Sequence, residues 1–207
     1  VINQYFQECI SGDWGKEEVS DTFTNRVVCL RGCDLPALRR GTPLKAPVRY
    51  IKHSKLSKCK ILSGDIIIEI SGGTENQSTG RVVYINNEII GQAKTPLICS
   101  NFCKVLRVKN SAFTYFLNCY INYLYDKRVF FNLENGTTGI KNLDIKAFLN
   151  DFDLVLPSHS LINKFDDKVR MIYSKIQRNN QSIICLTQIR DALLPKFMSG
   201  QIKVKGL

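Results

Sequence analysis

An apolar stripe in the last third of the chain constrains the fold more than any other feature of the sequence. From Phe165 to Leu193, apolar residues recur in alternating steps of four and three, the spacing of a helix that packs lengthwise on a partner. Asn179 and Arg190 interrupt the stripe, and the run is expected to stop over residues 194–200. Such a helix would be about 40 Å long, and one small domain does not cover a stripe of that length. We therefore interpret it as a spacer and an assembly surface, whose packing positions are Phe165, Val169, Ile172, Ile176, Asn179, Ile183, Leu186, Ile189 and Leu193.

The chain divides into a strand-rich domain over residues 1–157 and a long helix with a short tail over residues 158–207. Two amphipathic stretches, Ala112–Asp126 and Asp144–Asn150, predict helices within the first part, which Pro157 closes. Short runs of β-branched and aromatic residues between turn residues predict strands. These runs are Asn25–Leu30, Val48–Ile51, Asp65–Ile70, Arg81–Ile85, Leu97–Ser100, Cys103–Val108 and Phe152–Leu156. The expected fold class is α+β.

Positive charge is concentrated in one window of the strand-rich domain. The net charge of the chain is +11, and no acidic residue occurs between Asp34 and Asp65. Eight basic residues fall in that window, which are Arg39, Arg40, Lys45, Arg49, Lys52, Lys55, Lys58 and Lys60. Such a run is typical of a surface that binds a polyanion, most often nucleic acid, although a solvated basic face has the same composition.

The eight cysteines are interpreted as small apolar residues in a reducing cytoplasm. Cys29 and Cys33, like Cys99 and Cys103, are separated by three residues and lack the spacing of a zinc ribbon. The chain has only two histidines, and neither has a second metal ligand nearby in the sequence. No apolar run reaches the roughly 18 residues that cross a bilayer, so we expect neither a membrane partner nor a metal.

Motifs for catalysis are missing from the sequence. It contains no Gly-rich loop for nucleotide phosphates, and two histidines do not support a Ser/His/Asp triad. Asp144-Ile145-Lys146 is the best match to the Asp-x-Lys element of a metal-dependent nuclease, but it falls in a predicted helix and has no acidic partner upstream. These observations favour a binding protein without catalytic activity.

An ordered set of short motifs resembles the target recognition domain and spacer helix of type I restriction–modification specificity subunits. The first motifs are Gly12-Asp13-Trp14-Gly15-Lys16, Arg31-Gly32-x-Asp34, Leu62-Ser63-Gly64-Asp65-Ile66, Ser71-Gly72-Gly73 and Gly80-Arg81. The later ones are 136–143, 152–157 and 186–200. Each motif is unspecific alone, but together they run in the family's order over about residues 12–204.

The resemblance implies a non-catalytic subunit that recognises DNA for partner enzymes. Subunits of this family usually carry two recognition domains and two helices that pack antiparallel, whereas this chain is similar to one half, most like the C-terminal half. It therefore represents either an excised half or a natural half-length subunit, and Val1 is consistent with a start after the first helix. The implied partners are double-stranded DNA, methyltransferase subunits and, through them, restriction subunits. These enzymes carry the cofactors, so none is expected here.

Two copies of such a half would pair their helices as an antiparallel coiled coil, so we expect a homodimer. Asn179 would then fix the register, as single polar residues do in coiled-coil seams.

Residues expected to contact DNA fall into two overlapping groups. Those that would neutralise phosphates are Arg39, Arg40, Lys45, Arg49, Lys52, Lys55, Lys58, Lys60, Lys94, Lys104 and Lys141. Those that would reach base edges are Arg39, Arg40, Asn76, Gln77, Arg81 and Lys94. The turn at Gly136-Thr137-Thr138 either offers further donors for a phosphate or is a plain structural turn, and Trp14 is expected to be a core anchor rather than a DNA-facing aromatic.

Two other functions are compatible with the composition. One is a coiled-coil interaction module whose basic face meets acidic proteins without reading DNA. The other is a stand-alone DNA-modifying enzyme, which the missing motifs disfavour.

Overall fold

The computed structural model of the chain describes residues 1–136 and 139–202. It contains a strand-rich domain followed by one long helix, which confirms the predicted α+β class. The strands β1 to β10 are Phe6–Ser11, Asn25–Leu30, Val48–Ile51, Asp65–Glu69, Ser71–Gly72, Val82–Tyr84, Leu97–Cys99, Cys103–Val108, Glu134–Asn135 and Lys141–Leu143. The helices α1 to α6 are Leu35–Arg39, His53–Cys59, Asn87–Ala93, Thr114–Asp126, Ile145–Asp151 and His159–Met198.

A four-stranded antiparallel sheet in the order β1-β8-β4-β6 forms the centre of the domain. Every residue of β4 is buried, because both faces of this strand are covered. Ile66 and Ile68 pack in the cluster that contains Leu117 and Ile121 of α4. Ile67 points to the opposite face, as successive strand residues do, and belongs to a second cluster with Leu35.

Two smaller sheets complete the domain. The order β3-β2-β7 combines an antiparallel pair with a parallel one, and β5-β10-β9 is a short antiparallel sheet. The helices α1 and α2 lie within the basic window, where the sequence had suggested only the strand at Val48–Ile51. Residues 152–156, predicted as a strand, have no regular structure, although Phe152, Leu154 and Leu156 pack against the core. Their apolar side chains therefore serve packing without strand pairing.

The long helix α6 extends further than the sequence indicated. Ser158 caps its first turn through a hydrogen bond from the Leu161 N–H, and the helix continues through Pro195 to Met198. The apolar run was expected to stop over residues 194–200, and Pro195 lies in this last part of the helix, where it removes one helical hydrogen bond without ending the helix. Gly200, with a φ of +72°, ends the helix. At 1.5 Å per residue, its 40 residues span about 60 Å.

The N-terminal half of α6 packs against the domain, mainly on α4. Ile162 is fully enclosed in the main cluster, and the Tyr173 ring lies 5.4 Å from that of Tyr115. Asp166 is also buried and forms an ion pair with Arg170 at 2.6 Å. These contacts fix the direction in which the helix leaves the domain.

The C-terminal half of α6 has almost no cover from its own domain. Between residues 181 and 198, Ile184 alone is partly buried. Ile183 and Leu186 are 58% and 64% exposed, and Leu193 and Phe197 share their face of the helix. Phe165, Ile172 and Asn179 continue this face towards the N-terminus, also exposed. The helix thus carries an apolar stripe, most of which no other described part of the chain covers.

Two of the predicted packing positions lie at the edge of this stripe. Val169 and Ile176 are only partly exposed, and Ile176 approaches Gly41 of the domain. They therefore contribute to the packing of α6 on its own domain, unlike Ile183 and Leu186.

None of the described helices is long and apolar enough to cross a membrane. A search of residues 1–136 and 139–202 also shows no cluster of three side chains that would hold a metal ion.

The cysteines of the native protein are expected to react with a thiol reagent at very different rates. Cys33 and Cys185 are exposed, whereas Cys29, Cys99 and Cys103 are buried. Burial raises the pKa of the Cys29 and Cys103 thiols to about 12, so both remain protonated and weakly nucleophilic near neutral pH. Peptide mass spectrometry after brief labelling should find Cys33 and Cys185 modified, and the buried thiols of Cys29, Cys59, Cys99 and Cys103 modified only after denaturation. Rapid labelling of Cys103 would contradict this packing.

Candidate nucleic-acid interface

Four of the predicted base-contacting residues line one cavity of about 500 Å³, which we call the basic cavity. Arg39 and Arg40 come from the end of α1, Gln77 from the loop after β5, and Arg81 from the start of β6. Guanidinium groups bind phosphate oxygens and guanine edges bidentately, and a glutamine amide can pair with adenine. The fold therefore gathers residues that are up to 42 positions apart into one polar site suited to nucleic acid.

Arg81 is held in this cavity by a buried carboxylate. Its Nε donates a 2.7 Å hydrogen bond to Glu69, and its Nη2 donates to the other oxygen of the same carboxylate. The Glu69 side chain is 3% exposed and that of Arg81 is 19% exposed. Hydrogen bonding to Glu69 raises the pKa of Arg81, although burial opposes this. Two of the three guanidinium nitrogens are thus engaged, and Nη1 is the nitrogen that these bonds do not use.

Arg39 and Arg40 are positioned by the long helix. Asn180 of α6 donates its side-chain N–H to the Arg40 carbonyl at 2.9 Å. Gly41 follows with a φ of +76°, and a Cβ at this position would overlap the Asn180 amide. Arg39 lies 3.9 Å from Asp126 at the end of α4. The helix therefore touches the same short segment that supplies two guanidinium groups to the basic cavity.

Replacing Gly41 with alanine is expected to destabilise the fold by about 2 kcal/mol, because the left-handed backbone and the Asn180 contact both oppose a side chain. Gly91→Ala is the matched control, since Gly91 lies inside α3 with open space around it. That replacement should leave stability unchanged or raise it by up to about 1 kcal/mol. Urea unfolding of both variants measures the difference, and equal free energies of unfolding would rule out the close approach of α6 to Gly41.

Arg49 is placed differently from the other predicted phosphate contacts. Its side chain is 8% exposed, pairs with Glu17 at 2.7 Å and stacks over the Trp14 ring at 3.9 Å. The structure thus keeps this guanidinium inside the domain, where Glu17 and Trp14 contact it, while its Nε has no hydrogen-bond partner among the described residues. Trp14 itself is 36% exposed, which corrects the expectation that it anchors the core.

The remaining predicted contacts are distributed outside the basic cavity. Asn76, beside Gln77, is exposed in the loop after β5, and Lys45, Lys52, Lys55 and Lys94 are also exposed. Lys104 donates a 2.8 Å hydrogen bond to the Ser11 hydroxyl. Lys141 pairs with Glu134 at 3.2 Å. The proposed phosphate turn at Gly136-Thr137-Thr138 falls partly outside the described residues, since Thr137 and Thr138 are not among them.

Two residues of the cavity, Asn122 and Tyr125, were missed by the sequence analysis. Both lie on α4, which was recognised only by its apolar period. Asn118 and Asn122 are buried and four residues apart, so they share a face of the helix. Two amides at that spacing inside an apolar helix were the available signal for a polar face; Asn122 lines the cavity, whereas Asn118 donates to the Tyr173 hydroxyl.

Comparisons of sequence point to one family. No protein-family model matches the chain. The chain is 33% identical over 173 residues to the type I restriction enzyme MjaIX specificity subunit of Methanocaldococcus jannaschii, covering 79% of this chain and 39% of that protein. It is 35% identical over 71 residues to the type I restriction enzyme HindI specificity subunit of Haemophilus influenzae, covering 34% of this chain and 15% of that protein.

The fold comparison agrees with the sequence matches. The crystal structure of a type I restriction–modification S subunit from M. genitalium matches with a TM-score of 0.60, covering 96% of this chain and 44% of that chain. The sequence identity is 15%, so this match shows a shared fold. The chain spans less than half the length of each of these relatives. Together, the sequence matches and the shared fold show that this chain is homologous to the specificity subunits of type I restriction enzymes.

Proposed function

We propose that this chain recognises one half of a bipartite DNA sequence for a type I restriction–modification system, without catalysing a reaction itself. The observation that carries the proposal is the basic cavity, in which Arg39, Arg40, Gln77 and Arg81 meet in a homologue of specificity subunits. Guanidinium groups on the cavity bind phosphates and give salt-dependent affinity, while Gln77 and a guanidinium edge discriminate bases. Exposed lysines at positions 45, 52 and 55 extend the positive surface beyond the cavity.

We further propose that the exposed half of α6 assembles the complex. Its stripe of Ile183, Leu186, Leu193 and Phe197 has no partner within residues 1–136 and 139–202, and burying it against a second copy would stabilise an antiparallel homodimer. Two domains held at the ends of paired helices would face two half-sites at a fixed separation. The helices would also dock methyltransferase subunits, and through them restriction subunits.

Genome-wide mapping of methylated adenines tests this function directly. The chain is co-expressed with the modification subunit of a type I system in cells that lack other adenine methylation. We expect a new split motif with two inverted, identical halves, because each copy of a homodimer reads the same bases. A strain that expresses the modification subunit alone is the control. No new methylation in the presence of a purified, stable complex would overturn the proposal, and a motif with unlike halves would overturn the homodimer.

A further inference from the structure

A second cavity of about 650 Å³ adjoins the basic cavity. Phosphate binding does not explain the kinds of residue that line it. Gln77 and Arg81 line both cavities, which places the two side by side. The second cavity also contains the aromatic side chains of Trp14 and Phe102. Its volume lies within the range of about 300–1,000 Å³ that is usual for sites of small organic ligands. We call it the aromatic cavity.

The two aromatic side chains are exposed enough to contact a ligand. Trp14 is 36% exposed and Phe102 is 47% exposed, so neither is absorbed into the core. Arg49, which is buried, lies 3.9 Å from the Trp14 ring centre and supports one face of the indole. A supported, exposed ring stacks on a planar ligand at little cost in side-chain entropy.

The polar groups of the aromatic cavity suit a nucleobase. The amides of Gln77 and Asn101 each offer donors and an acceptor, which can pair with the edge of a base. The Glu69 carboxylate on the wall is neutralised by Arg81. Close packing in the turn after β5 shapes one side, since a Cβ on Gly73 would lie 2.8 Å from the Gln77 carbonyl oxygen. A site that binds a base needs an aromatic face on which the base stacks and polar groups that bond to its edge.

We propose that the aromatic cavity accepts one unstacked base of the DNA, whose phosphate lies on the neighbouring guanidinium groups of Arg39 and Arg40. The inference rests on the proposed function, because it takes DNA as the source of the base. A nucleotide carries a planar base and a phosphate next to each other. The two adjoining cavities likewise place an aromatic site for the base beside a basic site for the phosphate. Removing a base from the duplex costs stacking and pairing energy, which stacking on Trp14 and Phe102 offsets.

Fluorescence of the chain provides the first test, because Trp14 is its only tryptophan. Deoxynucleoside monophosphates are titrated into the full chain, with deoxyribose 5-phosphate as a ligand that lacks the base. We expect a saturable change in Trp14 emission with the nucleotides and none with the sugar phosphate. Phe102→Ala and Phe102→Leu should both weaken nucleotide binding about tenfold, since leucine keeps an apolar side chain but not the aromatic face. Tyr123→Ala removes an aromatic side chain, 55% exposed, that does not line the cavity, and should change nothing.

The second test distinguishes a base of DNA from a free nucleotide. Two duplexes of the same sequence are compared, one fully paired and one with a single base opposite an abasic site. The unpaired base should raise the affinity about tenfold, because less energy is needed to unstack it, and Phe102→Leu should abolish that gain. Absence of a saturable Trp14 response overturns the aromatic cavity as a base site. A response to nucleotides without any gain from the unpaired base assigns the cavity to free nucleotides and overturns the DNA source.

Failure of the base site remains separate from failure of the proposed function. The affinity for the fully paired duplex and its salt dependence are obtained from the same titrations, and they depend on the basic cavity. If the paired duplex binds with a steep salt dependence while Trp14 does not respond to nucleotides, only the aromatic cavity is refuted.

Discussion

Leu186→Asp is expected to convert a dimer of this chain into monomers. Leu186 is 64% exposed on the apolar stripe of α6. In a dimer, it would be buried against the apolar residues of α6 in the second copy. Moving a carboxylate into such a seam is costly because the charge would be buried against the apolar partner helix, and Arg190, one turn away on the same face, already pairs with Asp191. The dissociation constant of the dimer should rise by at least about 100-fold. Sedimentation equilibrium at several concentrations measures this change.

Gln188→Asp is the matched control for the helix. It introduces the same side chain two residues away and therefore about 200° around the helix axis, on a face without the stripe. Its dimer should be as stable as that of the wild type, and circular dichroism should show the same helix content in all three proteins. An unchanged mass for folded Leu186→Asp would refute assembly through the stripe. In that case, α6 would serve only as a support for Arg40 and Gly41.

The apolar period of α6 was visible in the sequence, but its division between two packing surfaces was not. Val169 and Ile176 belong to the same pattern of four-residue and three-residue steps as Ile172 and Ile183, yet the first two are partly buried towards the domain. The difference depends on α4, whose Tyr115 meets Tyr173 and fixes the rotation of the helix. Sequence spacing identifies a face to within one or two residues, and tertiary contacts decide which edge of it the domain covers.

The basic window could likewise be recognised in the sequence, but the location of each basic residue in the fold could not be predicted. Arg39 and Arg49 are of the same chemical type and only ten positions apart. Arg39 lines the basic cavity, while Arg49 is enclosed by Glu17 and Trp14, which lie more than 30 positions away in the chain. The order of strands in the sheets determines which distant segments come into contact. That order cannot be predicted from neighbouring residues, as the parallel pairing of β2 with β7 illustrates.

The double replacement of Arg39 and Arg40 by glutamate is expected to weaken DNA binding about 100-fold near physiological salt. Each change removes a guanidinium that lines the basic cavity and adds a negative charge facing the phosphates. The slope of log affinity against log salt concentration should fall by about two, one for each lost phosphate contact. Fluorescence anisotropy with a labelled duplex over a series of salt concentrations measures both quantities.

Lys109→Glu with Lys146→Glu provides a control with the same change of charge. Both lysines are exposed and line neither cavity, and either double variant lowers the net charge of +11 by four. If only overall charge mattered, the two double variants would lose affinity equally. A local phosphate site predicts a large loss for the arginine pair and a loss of less than about tenfold for the lysine pair. Equal losses would place the DNA elsewhere on the surface, and thermal unfolding of both variants separates lost binding from lost folding, since Arg39 also faces Asp126.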